Sequence, residues 1–123
     1  DAYIADKVTL SCNVIIGGHS CILTGANMGL GSAIHQNRVV GAYAMIGMMS
    51  NVVKSIAPFV IAVGNPCVPK KINEIGLTRA GWTMDEIDQA ERWWMQPVLD
   101  DMLFDKLKHH VDQWRNIREK FGK

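Results

Sequence analysis

Aliphatic residues recur at an unbroken six-residue interval through the first half of the chain, at Ile4, Leu10, Ile16, Ile22, Met28, Ile34, Val40, Ile46 and Val52. An amphipathic helix gives spacings of three and four, and a half-buried strand alternates. A period of six fits neither. It predicts a β-solenoid, in which each hexapeptide forms one short strand and one turn and points its aliphatic residue into a shared core. The flanking positions agree. Ala5, Ser11, Gly17, Gly29, Gly41 and Gly47 follow the aliphatic residue, where a bulky side chain would crowd the turn. Four places after it come Val8, Val14, Ser20, Ala26, Ser32, Ala44, Ser50 and Ile56, mostly small enough for a tight interior. With three hexapeptides to a triangular coil, the nine form a stack of three coils about 14 Å tall, at about 4.8 Å per coil. So short a stack leaves its first coil open, exposing aliphatic side chains and backbone edges unless oligomerisation or further coils cover them.

The repeat stops near Ser55-Ile56-Ala57-Pro58. From Pro58 to Pro69 the chain is punctuated by Gly64-Asn65-Pro66, and the restriction that proline places on its predecessor predicts a loop leaving the solenoid. From Thr83 the period becomes helical. Thr83-x-x-Glu86 is a capping-box pattern, and Asp85 and Glu86 lie where the helix dipole favours acids. Met84, Ile87, Ala90 and Trp94, with or without Trp93, define an apolar face that ends at Met95. Pro97 breaks that helix and suits the first position of a second one. The second helix is expected to run from about Pro97 to Phe121, on Leu99, Leu103, Leu107, Val111, Trp114, Ile117 and Phe121. The aromatic stripe reads as packing, and Asp100-Asp101 and Lys106-Lys108 as a solvated face. The expected organisation is therefore a β-helix over 1–57, an exit loop and contact segment over 58–82, and a helical region over 83–123.

Composition narrows the class without assigning a function. A chain of 123 residues with 48% hydrophobic content is a folded unit of modest size. Its net charge of +1 carries no nucleic-acid signature, and no apolar run is long enough to span a bilayer. Cys12, Cys21 and Cys67 are odd in number and lack metal-ligand spacing, which points to a reduced, cytoplasmic setting with all three packed as small hydrophobes. The chain opens with Asp rather than Met, already in repeat phase, which suggests a fragment or a processed product.

Candidate chemistry sits in the solenoid. His109 and His110 fall in the second helix, where at most one can face the core. His19 and His35 are sixteen residues apart in an eighteen-residue coil, so they lie on adjacent coils near one edge of the prism. His35-Gln36-Asn37-Arg38 is a dense polar cluster in an otherwise small and aliphatic repeat, and His35 occupies a position usually given to a small residue. A polar break in a regular repeat is a site signal. Hydrogen bonds to the turns account for the two histidines equally well.

Several stretches then occur in a telling order: the hexapeptides, Ala33-Ile34-His35-Gln36, Gly41-Ala42, the run from Ala57 to Pro66, and Ile72-Asn73-Glu74-Ile75-Gly76-Leu77-Thr78-Arg79-Ala80-Gly81-Trp82. Together they resemble the C-terminal part of the UDP-N-acetylglucosamine O-acyltransferases, hexapeptide-repeat enzymes of lipid A biosynthesis. The Gly-Asn-Pro loop is common to many hexapeptide acyltransferases; the Asn73–Trp82 run is more specific. The resemblance implies a left-handed parallel β-helix followed by a C-terminal helical hairpin, and a cytoplasmic homotrimer with active sites in clefts between solenoids. It implies transfer of a 3-hydroxyacyl group, from its thioester on the phosphopantetheine of acyl carrier protein, to a UDP-N-acetylglucosamine-like sugar. No bound cofactor, metal, nucleic acid or membrane span is implied. A histidine acts as general base toward the sugar hydroxyl, and a backbone N–H stabilises the oxyanion.

Residue by residue, the resemblance makes His19 and His35 candidate active-site histidines. It sets Gln36 against the sugar nucleotide or acyl group and Asn73 and Arg79 on the nucleotide, Arg79 through a guanidinium fork suited to phosphate. Gly29, one coil step above the His35 turn, is a candidate for close backbone approach, and Met48 for the acyl-length ruler, where a bulky residue favours shorter chains. The family's general base aligns immediately before Asp1. Ala80 stands where a second arginine is common, and Ile75 where an acid is usual; both weaken the expected grip on UDP. A third reading within the fold, an acetyl-CoA-dependent sugar acetyltransferase, is disfavoured by the tail. From a different class, the alternative is a catalytically silent trimeric β-helix that serves assembly or binding.

Overall fold

The structure, a computed structural model, describes residues 1–97 and 103–121. Each hexapeptide forms a two-residue strand: β1 (Tyr3–Ile4), β2 (Thr9–Leu10), β3 (Ile15–Ile16), β4 (Cys21–Ile22), β5 (Asn27–Met28), β6 (Ala33–Ile34), β7 (Val39–Val40), β8 (Met45–Ile46) and β9 (Asn51–Val52). The ladder residue is the second of each pair. Because side chains alternate along a strand, it points inward and its predecessor outward. Strands one coil apart stack in parallel, Ile4 on Ile22 and Ile22 on Val40, and likewise around the prism. Three faces result: β1-β4-β7, β2-β5-β8 and β3-β6-β9.

The turns repeat as regularly as the strands. Three residues past the ladder position the backbone enters the left-handed region, with φ between 57° and 62° at Lys7, Asn13, His19, Asn37, Tyr43 and Met49. Outside glycine and asparagine this conformation costs roughly 1–2 kcal/mol per residue. Backbone bonds between coils hold it, such as Asn37 N–H to Gly18 O at 3.1 Å. Ile22, Met28, Ile34, Val40, Ile46 and Val52 are buried, whereas Ile4 and Leu10 remain 39% and 43% exposed. The first coil is open, as the short ladder led one to expect. Ser20, Ser32 and Ser50 are buried polar exceptions; the Ser32 hydroxyl donates to Gly29 O at 2.7 Å, and Ser50 Oγ accepts from Gly64 N–H at 3.0 Å.

Beyond the solenoid the fold departs from the sequence expectation. Instead of an exit loop, β10 (Val60–Gly64) extends the β2-β5-β8 face by pairing in parallel with β8, and β11 (Cys67–Ile72) returns antiparallel to it. The period-two signal was there, since Val60 and Ala62 are buried and Ile61 and Val63 are not, but it lay inside a continuous apolar run. Pro69 is tolerated because β11 is the edge strand. A short helix, α1 (Glu74–Arg79), follows where none was expected.

α2 (Met84–Met95) begins at the anticipated capping box: Glu86 N–H donates to Thr83 Oγ1, and Thr83 N–H to Glu86 Oε1. Its buried face is Ile87, Ala90 and Trp93. Met84, assigned to that face from the sequence, is 76% exposed, and Trp94 is only half-buried. α3 (Asp105–Lys120) starts well after Pro97 and buries Leu107, Val111 and Trp114; Leu99 and Asp100-Asp101 lie outside the described residues. Phe104 N–H donates to Gln89 Oε1 at 2.6 Å, which ties the start of α3 to α2. α3 packs on β7. Phe59, Trp82, Trp93 and His110 form an aromatic cluster over the far end of the solenoid, with Phe59 and Trp82 centroids 5.2 Å apart. Of the cysteines, Cys67 is buried and Cys21 half-buried, but Cys12 is exposed on the open coil rather than packed.

Candidate functional site

The candidate residues distribute over the three edges of the prism, where the turns lie. The first edge, between β3 and β4 and between β6 and β7, carries His19, His35, Gln36 and Arg38. His19 and His35 do lie on adjacent coils, although in register His19 stands opposite Asn37, and it is His19 and Asn37 that occupy the left-handed turn position. His35 and Gln36 are exposed. His35 Nδ1 lies 3.0 Å from Gln36 O. A carbonyl oxygen only accepts, so this contact selects the tautomer with the proton on Nδ1 and leaves the Nε2 lone pair as the acceptor. Arg38 buttresses the turn by donating to Gln36 O at 3.1 Å and Val53 O at 2.7 Å.

The second edge, which contains the Lys7, Gly25 and Tyr43 turns, faces α1 across a cleft of about 750 Å³. Asn73 and Arg79 line it from the helix side and Lys7, Thr9, Asn27 and Met45 from the solenoid. Asn73 is buried and already engaged: its Nδ2 donates to Tyr43 O at 2.9 Å and its Oδ1 caps α1 by accepting from Gly76 N–H at 3.2 Å. It positions α1, and with it Arg79, against the solenoid. Sequence reasoning did not single out Lys7, Thr9, Asn27 or Tyr43. Their shared wall follows from strand order and turn phase, with every sixth position in a turn and every third turn on one edge. Ala80 lines the cleft too, and Lys7 supplies a second cation opposite Arg79 there.

The third edge carries Gly29 and Met48. Gly29 is not near the His35 turn; a Cβ at Gly29 would lie 2.8 Å from Met48 N, so its close approach is to the next coil of the same chain. Met48 is 69% exposed. The structure thus unites His35 with Gln36, and Asn73 with Arg79. Within one chain it keeps these two groups and Met48 on separate edges.

Cys21 lies beside His19 in a shallow pocket with Lys120. Burial pushes its thiol up, with Lys120 pulling weakly the other way, so it is not poised as a thiolate nucleophile. Among the described residues no cluster of histidine, cysteine or carboxylate side chains could hold a metal ion, and no helix is long and apolar enough to cross a membrane.

Three parallel faces, hexapeptide turns and a helical tail define the class as β-solenoid proteins of the hexapeptide type. Comparison with known proteins narrows it. Residues 56–118 match the model of the family described as UDP N-acetylglucosamine O-acyltransferase, domain 2. The acyl-[acyl-carrier-protein]–UDP-N-acetylglucosamine O-acyltransferase of Sinorhizobium fredii is 36% identical over 96 residues, covering 78% of this chain and 36% of that protein. Its namesake from Burkholderia orbicola is 41% identical over 87 residues, covering 71% and 33%. LpxA from Acinetobacter baumannii superposes with a TM-score of 0.77 at 25% identity, over 99% of this chain and 50% of that one. The chain belongs to the UDP-N-acetylglucosamine O-acyltransferase family, and its solenoid is a left-handed parallel β-helix. It spans about a third of the length of the relatives it matches.

Proposed function

We propose that this chain forms the C-terminal part of an acyltransferase that moves a 3-hydroxyacyl group from the thioester of an acyl carrier protein to a UDP-N-acetylglucosamine-like sugar. The supporting observation is the division of labour between edges. One edge offers an outward-facing imidazole acceptor, His35 Nε2, beside Gln36; another offers a cleft with cations from both walls, Lys7 and Arg79. A hydroxyl is a poor nucleophile and must be held in line as it attacks the thioester carbonyl; the resemblance assigns its proton to a different histidine, so His35 accepts a hydrogen bond that positions it. A nucleotide diphosphate needs paired cations. Since the two groups face different ways in one chain, a productive site takes one edge from each of two neighbouring copies. A cyclic homotrimer of three-edged prisms provides that pairing three times over.

Lys7 restores a positive charge opposite Arg79 where Ala80 removes one, so the acceptor remains a sugar nucleotide. His19 borders the His35 edge one coil away and contributes to positioning. Steady-state acyl transfer by the full protein tests this reading. His35→Gln is expected to lower kcat by roughly 10²-fold or more, with the nucleotide-sugar KM little changed. Arg79→Ala and Lys7→Ala are expected to raise that KM by about tenfold each. A His35→Gln variant with native kcat would refute the assignment.

A further inference from the structure

A groove of about 470 Å³ opens where the last solenoid turn meets the end of α3, lined by Arg38, Val53, Lys54, Ser55 and Arg118. Three cations converge there from three segments: the β6–β7 turn, the residues after β9, and the last turn of α3. Among the described residues no carboxylate lines the groove. Neither ion pair found among the described residues, Arg92–Asp88 or Lys106–Glu86, involves these three cations.

Two of the cations are held in place. Arg38 donates through Nε to Val53 O at 2.7 Å and through Nη1 to Gln36 O at 3.1 Å and Asn37 O at 3.3 Å. Those bonds orient its guanidinium and leave Nη2 for a ligand. Arg118 sits over the Trp114 ring at 4.5 Å. Ser55 Oγ accepts from Val39 N–H at 3.0 Å, which leaves its own O–H to donate. Like charges gathered in one groove repel, and no acid among the described residues lies between them; a bound anion converts that repulsion into attraction.

We propose that Arg38, Lys54, Ser55 and Arg118 bind a phosphate group, either free phosphate or that of a phosphate ester. Two guanidinium groups, an ammonium and a hydroxyl offer more donors, spread over more directions, than the two oxygens of a carboxylate can use. They match the three terminal oxygens of a phosphate, and arginine's fork engages two of them at once. The groove adjoins the candidate active edge: His35 N–H donates to Val52 O at 2.9 Å, so Val53 lies directly over His35 in the next coil. A phosphate bound there sits about one coil, roughly 5 Å, from the His35 turn; its source is free phosphate or the phosphate of an acyl donor's carrier arm, which spans several coils when extended and has to fold back to reach it. Only that choice of source rests on the acyl-transfer reading; phosphate binding itself does not.

Calorimetric titration of the full chain with inorganic phosphate, 4′-phosphopantetheine and unphosphorylated pantetheine tests the site. Both phosphates are expected to bind and pantetheine to fail. Lys54→Gln and Arg118→Gln should each weaken binding by about tenfold, the loss of one charge-assisted hydrogen bond, and added salt should weaken it further. Lys54 is exposed, so its variant folds even if removing the Arg118–Trp114 contact disturbs α3. Tighter binding of 4′-phosphopantetheine assigns the carrier arm as source, and equal affinity assigns free phosphate; either supports the site. Failure of both phosphates to bind, unchanged affinity in Lys54→Gln, or equal binding of pantetheine and its phosphate would overturn it. Loss of acyl transfer in His35→Gln leaves this titration untouched, so the two readings fail separately.

Discussion

Gly17 and Gly18 are neighbours in one turn, and the fold treats them in opposite ways. A Cβ at Gly17 would lie 2.8 Å from both His35 C and Ile34 O, and nearer still to Gln36 N, because the next coil passes directly over it. A Cβ at Gly18 would meet nothing within 4 Å. Neither glycine has a positive φ, so backbone strain does not separate them. Carbon contacts are comfortable only from about 3.5 Å, so Gly17→Ala obliges the His35 turn to retreat by at least roughly 0.7 Å. That turn consists of backbone, fixed by Gly17 N–H to Ile34 O at 2.9 Å, and it has no rotamer to swing aside. Overpacking of this kind costs about 1–3 kcal/mol. Gly18→Ala restricts only the unfolded chain and gains about 0.4–1 kcal/mol. The two variants should therefore differ by about 2–3 kcal/mol. In urea unfolding followed by far-ultraviolet circular dichroism, that is a midpoint gap on the order of 1–2 M. Unfolding free energies within about 0.5 kcal/mol of each other would refute the claim that the coil-to-coil approach dictates glycine at position 17.

Three further outcomes follow from other parts of the fold. Burial, then His109 and Lys106, depress His110 to about 4 against an ordinary 6.5. Its folded form thus resists the proton that the unfolded chain accepts, so stability is full above about pH 6.5 and falls toward pH 4. Because the ring is only partly buried, the loss is discounted to about 2 kcal/mol. It should shrink in His110→Phe when unfolding is compared at pH 7.5 and 4.5, and an equal slope in both proteins would count against the assignment. Thr83→Ala removes the α2 capping box and is expected to cost about 1 kcal/mol in thermal or urea unfolding, with Thr83→Ser close to native. If Met48 sets acyl length, Met48→Gly should shift the preference among acyl-carrier-protein donors toward longer chains, as measured by competition between two donors. An unchanged preference would remove Met48 from that role.

The solenoid was legible because its core is one-dimensional. A ladder residue meets only its counterparts one coil above and below, so the period alone encodes the packing, down to the open Ile4 and Leu10. The α2 start was equally plain, since Thr83 and Glu86 satisfy each other within four residues. Elements decided by distant partners were not. β10 is a strand because β8 offers it an edge, not because its apolar run announces one. α1 exists because Asn73 caps it while bonding Tyr43 thirty residues earlier in the chain. Met84 fits a helical stripe by count, yet it precedes the first turn that reaches the core. The candidate site divides along the same line. His35 and Gln36 stood out as a local polar break, whereas Lys7 enters the α1 cleft through a register that only the folded coil defines.

That register has a consequence for how such a chain can change length. Removing one hexapeptide leaves every remaining ladder residue still facing inward, so the core survives the loss. Every group downstream of the cut is nevertheless carried one edge further around the prism. With the loss between Lys7 and His35, His35 would then point where Gly29 now looks, and Arg79 would lose Lys7 as its opposite. Only insertion or deletion of whole eighteen-residue coils, the interval at which Ile4 finds Ile22 and Ile22 finds Val40, spares both the stack and its edges. The protein is tolerant of length in steps of six for folding and in steps of eighteen for chemistry.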